Sequence, residues 1–252
     1  MSYSEQLLDS IQNHDFSQSK HLLKEALNND DPEILASLAE NLTGLGFTDL
    51  AKEVYRALIV KFPKEDLFKV YLAEILLNDG DEDDGLSLLY SVSHDSSAYL
   101  DSLLVQADYY QTSGLIETAK DKLLQALKIA PEEDAVKFGL AELDYLSGDY
   151  EQALALYKDL VQRQETFGEV NLNQRLFATN AKMGNYEQAA EIIRKRSDSI
   201  FDIDSKYEAG LVMLSVGDDD KAIKFLDEVI EQSPDYVNAY PLLAQAYEHK
   251  HD

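Results

Sequence analysis

The sequence predicts an all-α fold, a solenoid of antiparallel helix hairpins stacked in series. Three observations predict it. Gly46, Gly80, Gly114, Gly148, Gly184 and Gly217 stand 34, 34, 34, 36 and 33 residues apart. Five residues after each glycine comes a small residue: Ala51, Gly85, Ala119, Ala153, Ala189 or Ala222. Pro63, Pro131 and Pro234 close three of the units. Glycine reverses the chain just past a helix end, where positive φ carries a steric cost for other residues. Small residues let two helix backbones approach, and proline, lacking an N–H, ends a helix.

The stretch 100–133 shows the unit plainly. Leu103, Ala107 and Tyr110 form one apolar face, and Gly114 stops that helix. Ala119, Leu123 and Ala126 form a second face, and Pro131 ends the unit. Two helices of about a dozen residues cannot bury such faces alone. They need copies alongside, and the copies are there.

In chain order the expected units are 1–31, 32–65, 66–99, 100–133, 134–169, 170–202 and 203–236, with a terminal helix at 237–250. That makes about seven hairpins in a single solenoid over 1–252. The first is the least regular: Leu7, Leu8 and Ile11 face Leu22, Leu23 and Ala26, and His14 stands where a glycine is expected. The unit 66–99 has Leu72, Ala73, Leu76, Leu89 and Val92 in place but lacks the closing proline. The unit 170–202 departs most. Two extra residues lie near Thr166–Glu169, Phe177 replaces the small residue after leucine, and Asn180 replaces an aromatic. Arg194, Lys195 and Arg196 form a tight basic cluster, read as a solvated face or a distinct patch. The last helix keeps an internal repeat's residues without a following helix. It is either a solvating cap or part of a longer natural array.

The pattern resembles the tetratricopeptide repeat. Leu35, Leu38, Ala39, Leu42, Gly46, Ala51, Tyr55 and Pro63 match that family's positions. Tyr240, Leu243, Ala244 and Tyr247 match its first helix, and the run GDYEQALALY at 148–157 is close to its commonest wording. The resemblance covers nearly the whole chain and implies a right-handed superhelical α-solenoid that works as a protein-binding scaffold.

Composition narrows the function. Lys+Arg number 22 against 48 Asp+Glu, a net charge of −26. That balance disfavours nucleic acid, whose phosphates need cations, and disfavours an anionic membrane surface. It permits basic protein partners. With no cysteine there is no disulfide framework or thiolate zinc site. The first residues lack the basic and apolar regions of a signal peptide, and no apolar run reaches about 18 residues. A cytoplasmic protein is expected.

No catalytic constellation is found. The histidines His14, His21, His94, His249 and His251 form no zinc helix, and phosphate-binding and nucleophile motifs are absent. Asp79, Asp81 and Asp83 suggest calcium ligands, but the glycine is displaced to Gly85 and Tyr90 stands where a glutamate is required. Acidic groups at the start of the next helix explain them better. The reading is therefore a non-enzyme with no cofactor and no metal.

A partner surface follows from register. In each first helix, repeat positions 2, 5, 9 and 12 form a stripe roughly 130° from the packing stripe. Position 9 is Glu40, Glu74, Asp108 and Glu142. Position 5 includes Val70, Leu104, Phe138 and Tyr207, and position 12 includes Leu77, Tyr145 and Leu214. The resemblance implies that this stripe lines the concave face, which usually holds an extended peptide or a helix. The expected site is an apolar groove with a carboxylate on each rung, suited to a basic or amphipathic segment. It departs from the carboxylate-gripping co-chaperone members of the family, whose rungs are basic. The alternative is self-assembly, with homo-oligomers forming through the groove or the terminal helix.

Overall fold

The computed structural model describes residues 1–195 and 202–251. Among these, fifteen helices account for nearly all regular structure. The chain forms two compact units, Met1–Pro131 and Glu132–Asp252.

The first unit holds α1 (Tyr3–Gln12), α2 (Ser19–Asn29), α3 (Pro32–Gly44), α4 (Thr48–Lys61), α5 (Leu67–Asn78), α6 (Glu82–Tyr90), α7 (Tyr99–Thr112) and α8 (Ile116–Ile129). Consecutive helices pair as hairpins, and α1 also packs on α3, α2 on α4 and α5 on α7. The core follows the apolar stripes. Leu35, Leu38, Ala39 and Leu42 of α3 meet Ala51, Val54, Tyr55 and Leu58 of α4, all buried. The small residue is a packing requirement at Gly85. A Cβ there would lie 2.7 Å from Leu77 Cγ and 3.1 Å from the Ala73 carbonyl oxygen.

The turns share one hydrogen-bond pattern. At Gly46, with φ +80°, the next N–H, of Phe47, donates to the Leu42 carbonyl at 2.8 Å. This is a Schellman closure, which needs a left-handed residue. The first hairpin makes the same closure without glycine. His14 adopts φ 58°, and the Asp15 N–H donates to the Ser10 carbonyl at 2.8 Å. Where the unit 66–99 lacks its proline, buried Asp66 holds the loop instead. Its carboxylate accepts from the Ser93 N–H at 3.1 Å and pairs with Lys69 at 2.6 Å.

The second unit holds α9 (Asp134–Ser147), α10 (Tyr150–Leu160), the strands β1 (Thr166–Phe167) and β2 (Val170–Asn171), α11 (Leu172–Lys182), α12 (Tyr186–Lys195), α13 (Ile203–Ser215), α14 (Asp219–Gln232) and α15 (Ala239–His251). Again each helix packs on the next, with α11 also on α13 and α13 on α15. The two extra residues near 166–169 are accommodated in an antiparallel hairpin, Thr166 opposite Asn171 and Phe167 opposite Val170, turning at Gly168 with φ 54°. The Asn171 carboxamide oxygen then caps α11, accepting from the N–H groups of Asn173 and Gln174 at 2.9 and 3.2 Å. Phe177 is fully buried with Ala189, Ala190 and Ile193 of α12. No helix among the described residues is long and apolar enough to cross a membrane.

Candidate protein-interaction groove

In the first unit the stripe opens into two adjoining clefts. The larger, of about 310 Å³, is lined by Glu40 and Thr43 of α3, Tyr55 of α4, and Tyr71, Glu74, Ile75 and Asn78 of α5. The smaller, of about 80 Å³, is lined by Glu74, Leu77 and Asn78 of α5 and by Val105, Asp108, Tyr109 and Thr112 of α7. They share Glu74 and Asn78, so three of the predicted rung carboxylates border one continuous depression. Glu40, Glu74 and Asp108 are exposed, and none is in an ion pair among the described residues.

The electrostatics of the larger cleft register on its tyrosines. Their ring centroids are 5.7 Å apart at an interplanar angle of 45°. Burial pushes the Tyr55 hydroxyl well above its usual range, and the charges of Glu40, the neighbouring Tyr71 and Glu74 push it further, against a hydrogen bond with Thr43. Tyr71 is raised in the same way, by burial and then by Glu40, Asp101 and Glu74. The cleft is therefore a tyrosine-walled pocket bordered by the carboxylates of Glu40 and Glu74.

Val70 requires a correction. It is 2 % exposed and packs with Ala73, Leu89, Val92 and Ala98, because that side of α5 meets α6 and the start of α7. It has no surface to offer a partner. Leu214 is likewise buried, while Leu104 is half-buried.

The predicted residues of the second unit are already engaged. The Glu142 carboxylate accepts from the Tyr157 hydroxyl at 2.6 Å and from Arg175 Nη2 at 2.6 Å. The Arg175 guanidinium lies 5.7 Å from the Tyr145 ring centroid. Phe138 stacks on Phe167 of β1 with centroids 4.4 Å apart. Tyr207 packs on Tyr236 at 5.1 Å, and the Tyr236 hydroxyl, pushed up to about 12 by burial and by Asp204, donates to Asp204 at 2.9 Å. Arg175 is the partner of Glu142 that register reasoning missed. A search for opposite charges one repeat apart would have found it.

The other charged features singled out by the sequence make local contacts where they are described. Asp79 pairs with Lys52 at 2.8 Å, Asp81 stands at the start of α6, and Glu82, Asp83 and Asp84 fill its first turn, where the helix dipole favours them. Among the described residues no group of three or more His, Cys, Asp or Glu is placed to hold a metal ion. Arg194 approaches Glu187 and Asp218 at 3.8 and 3.9 Å, and Lys195 pairs with Glu191 at 2.6 Å. Arg196 lies outside the described residues.

Stacked helix hairpins bordering a shallow groove define an all-α helical-repeat protein. Residues 111–165 match the family described as YpiA-like, tetratricopeptide repeats, and residues 204–236 match the tetratricopeptide repeat itself. The TPR repeat-containing protein YpiA of Bacillus subtilis (strain 168) is 32% identical over 187 residues, which span 74% of this chain and 44% of that protein. The chain is thus a tetratricopeptide-repeat protein, similar to bacterial proteins of that family. This chain therefore spans less than half the length of that relative. Solved structures agree on the fold. The C-terminal part of a TPR repeat-containing protein from Cytophaga hutchinsonii superposes with a TM-score of 0.68 at 14% identity, over 95% of this chain and 99% of that one. YrrB, described as a TPR protein with an unusual peptide-binding site, superposes with a TM-score of 0.63 at 18% identity, over 75% of this chain and 97% of its own.

Proposed function

We propose that this chain is a non-enzymatic interaction scaffold whose first unit binds a basic or amphipathic peptide segment. Tetratricopeptide repeats are generally protein-interaction modules, which supports the broader statement. The observation that carries the narrower one is the continuous depression between α3, α5 and α7. It has three carboxylates without paired cations on its rim, and tyrosine and aliphatic side chains in its walls. Apolar walls exclude water from one side of a bound segment, and the carboxylates reward Lys or Arg on the other. The net charge of −26 adds long-range attraction for a basic partner.

The test is fluorescence anisotropy with a labelled peptide alternating Leu with Lys and Arg. Binding is expected to weaken steeply as salt rises from about 0.05 M to about 0.5 M. It is expected to be lost in Glu74→Lys with Asp108→Lys, with circular dichroism unchanged. Full binding by that double variant would remove the groove as the site. Tyr240 and Tyr247 on α15, 45% and 42% exposed, favour a second reading, self-association through that helix. A single monomer mass by light scattering across a hundredfold concentration range would remove it.

A further inference from the structure

The repeat itself supplies a comparison that identifies what the larger cleft is built to take. Glu40, Thr43 and Tyr55 recur three repeats later as Glu142, Tyr145 and Tyr157. In that later copy the rung is complete, because the Arg175 guanidinium sits on Glu142 at 2.6 Å and near the Tyr145 ring at 5.7 Å. Once the two extra residues before α11 are allowed for, Arg175 occupies the repeat position held by Tyr71 in the first unit. The first unit therefore keeps the carboxylate and the tyrosine of the rung but has an aromatic ring where the later copy has its arginine. Where the later copy has Ala178, the first unit adds a second carboxylate, Glu74. Between these groups lies the cleft of about 310 Å³.

We infer that this cleft receives an arginine side chain from the bound partner segment, its guanidinium lying against the half-buried Tyr71 ring, with Tyr55 as the buried wall behind it, and donating to Glu40 and Glu74. The inference rests on the groove reading above and names its anchor. Three considerations select arginine over lysine. The internal copy of the rung is filled by an arginine. A flat guanidinium can lie against an aromatic ring while its N–H groups reach carboxylates on either side, which a compact ammonium cannot do. Paired charge-assisted hydrogen bonds to two carboxylates also use the fork geometry that arginine presents. The partner is thus a protein with an exposed arginine flanked by apolar residues, since Leu77 and Val105 line the next cleft.

The experiment uses the full chain and a capped, labelled peptide of Leu and Ala with one central Arg, compared with its Lys and citrulline counterparts. Citrulline keeps the shape and removes the charge, so its affinity should fall about tenfold or more, with Lys between. Tyr71→Arg places the arginine in cis, as the later repeat does, and should abolish preference for the Arg peptide. Glu40→Gln, a substitution on an exposed surface, should weaken the Arg peptide about tenfold and leave the citrulline peptide unchanged. Equal affinity for all three peptides, or Arg-peptide binding untouched by both Tyr71→Arg and Glu40→Gln, would overturn the inference. If such binding were still lost in Glu74→Lys with Asp108→Lys, the groove would stand and only its arginine anchor would fall. Failure of every basic peptide to bind would remove both.

Discussion

Phe177 offers a test in which family pattern and packing give opposite answers. The other units place a small residue here, Ala39, Ala73, Ala107 and Ala141, all buried. By pattern alone, Phe177→Ala would restore the favoured residue and stabilise the chain. The structure argues the reverse. Phe177 is 0 % exposed, and the facing helix has made room for it with Ala189 and Ala190, also 0 % exposed. At the second of these positions the preceding unit carries Leu154. Bulk has moved from the second helix of the hairpin to the first. Removing a fully buried phenylalanine costs its transfer free energy plus the cavity it leaves, about 3–5 kcal/mol. With a urea dependence of ~2 kcal/mol per molar, the midpoint should fall by about 2 M. The assay is urea unfolding followed by helical circular dichroism. Phe177→Ala with Ala190→Leu, which moves the bulk back, should recover part of the loss. A neutral or stabilising Phe177→Ala would refute the claim that the two helices have exchanged volume.

Other outcomes are expected. His14→Gly relieves a left-handed strain of about 1 kcal/mol and loses slightly less through the freer unfolded chain. The thermal midpoint should rise by ~1–2 °C. Gly114→Ala, with the same turn geometry at φ 76° and open space around it, should move the midpoint the other way; equal signs would remove the shared-turn argument. Asn171→Ala deletes the cap of α11 and should cost about 1 kcal/mol in urea unfolding, with no loss if water replaces the cap. In the second unit, hydrogen bonds from Lys137 and Arg163 hold Asp159 and Glu132 below their usual ranges of 3.8 and 4.5. Depressed carboxylates stabilise the fold above those values, and the benefit disappears as pH falls through the lower folded values. Lys137→Met should therefore lower the thermal midpoint at pH 7, and its gap from the parent should close in stronger acid. A gap independent of pH would refute the assignment.

The helices, their turns and most of the core were legible because a 34-residue repeat presents each physical requirement several times over. His14 was recognisable as a substitute for glycine from its place alone. Val70 was misplaced because a 100° step fixes a residue's bearing on its own helix but not how far the neighbouring helix wraps around it. The hairpin at 166–171 left only a trace, two residues too many. Strands of two residues have no periodicity to detect. The Glu142–Arg175 pair escaped because each repeat was read along its own stripe, while the contact runs between one repeat's ninth position and the next repeat's sixth.

The stacked ring of Phe167 gives the short hairpin a significance beyond its size. A surface position on Phe138 that could have faced outward is capped by the protein itself, through an insertion that leaves the helices on either side intact. Shortening 166–171 to the length found in the other repeats would unmask Phe138. An array of this kind can thus cover or expose a single aromatic side chain by changing a loop, with no helix rebuilt.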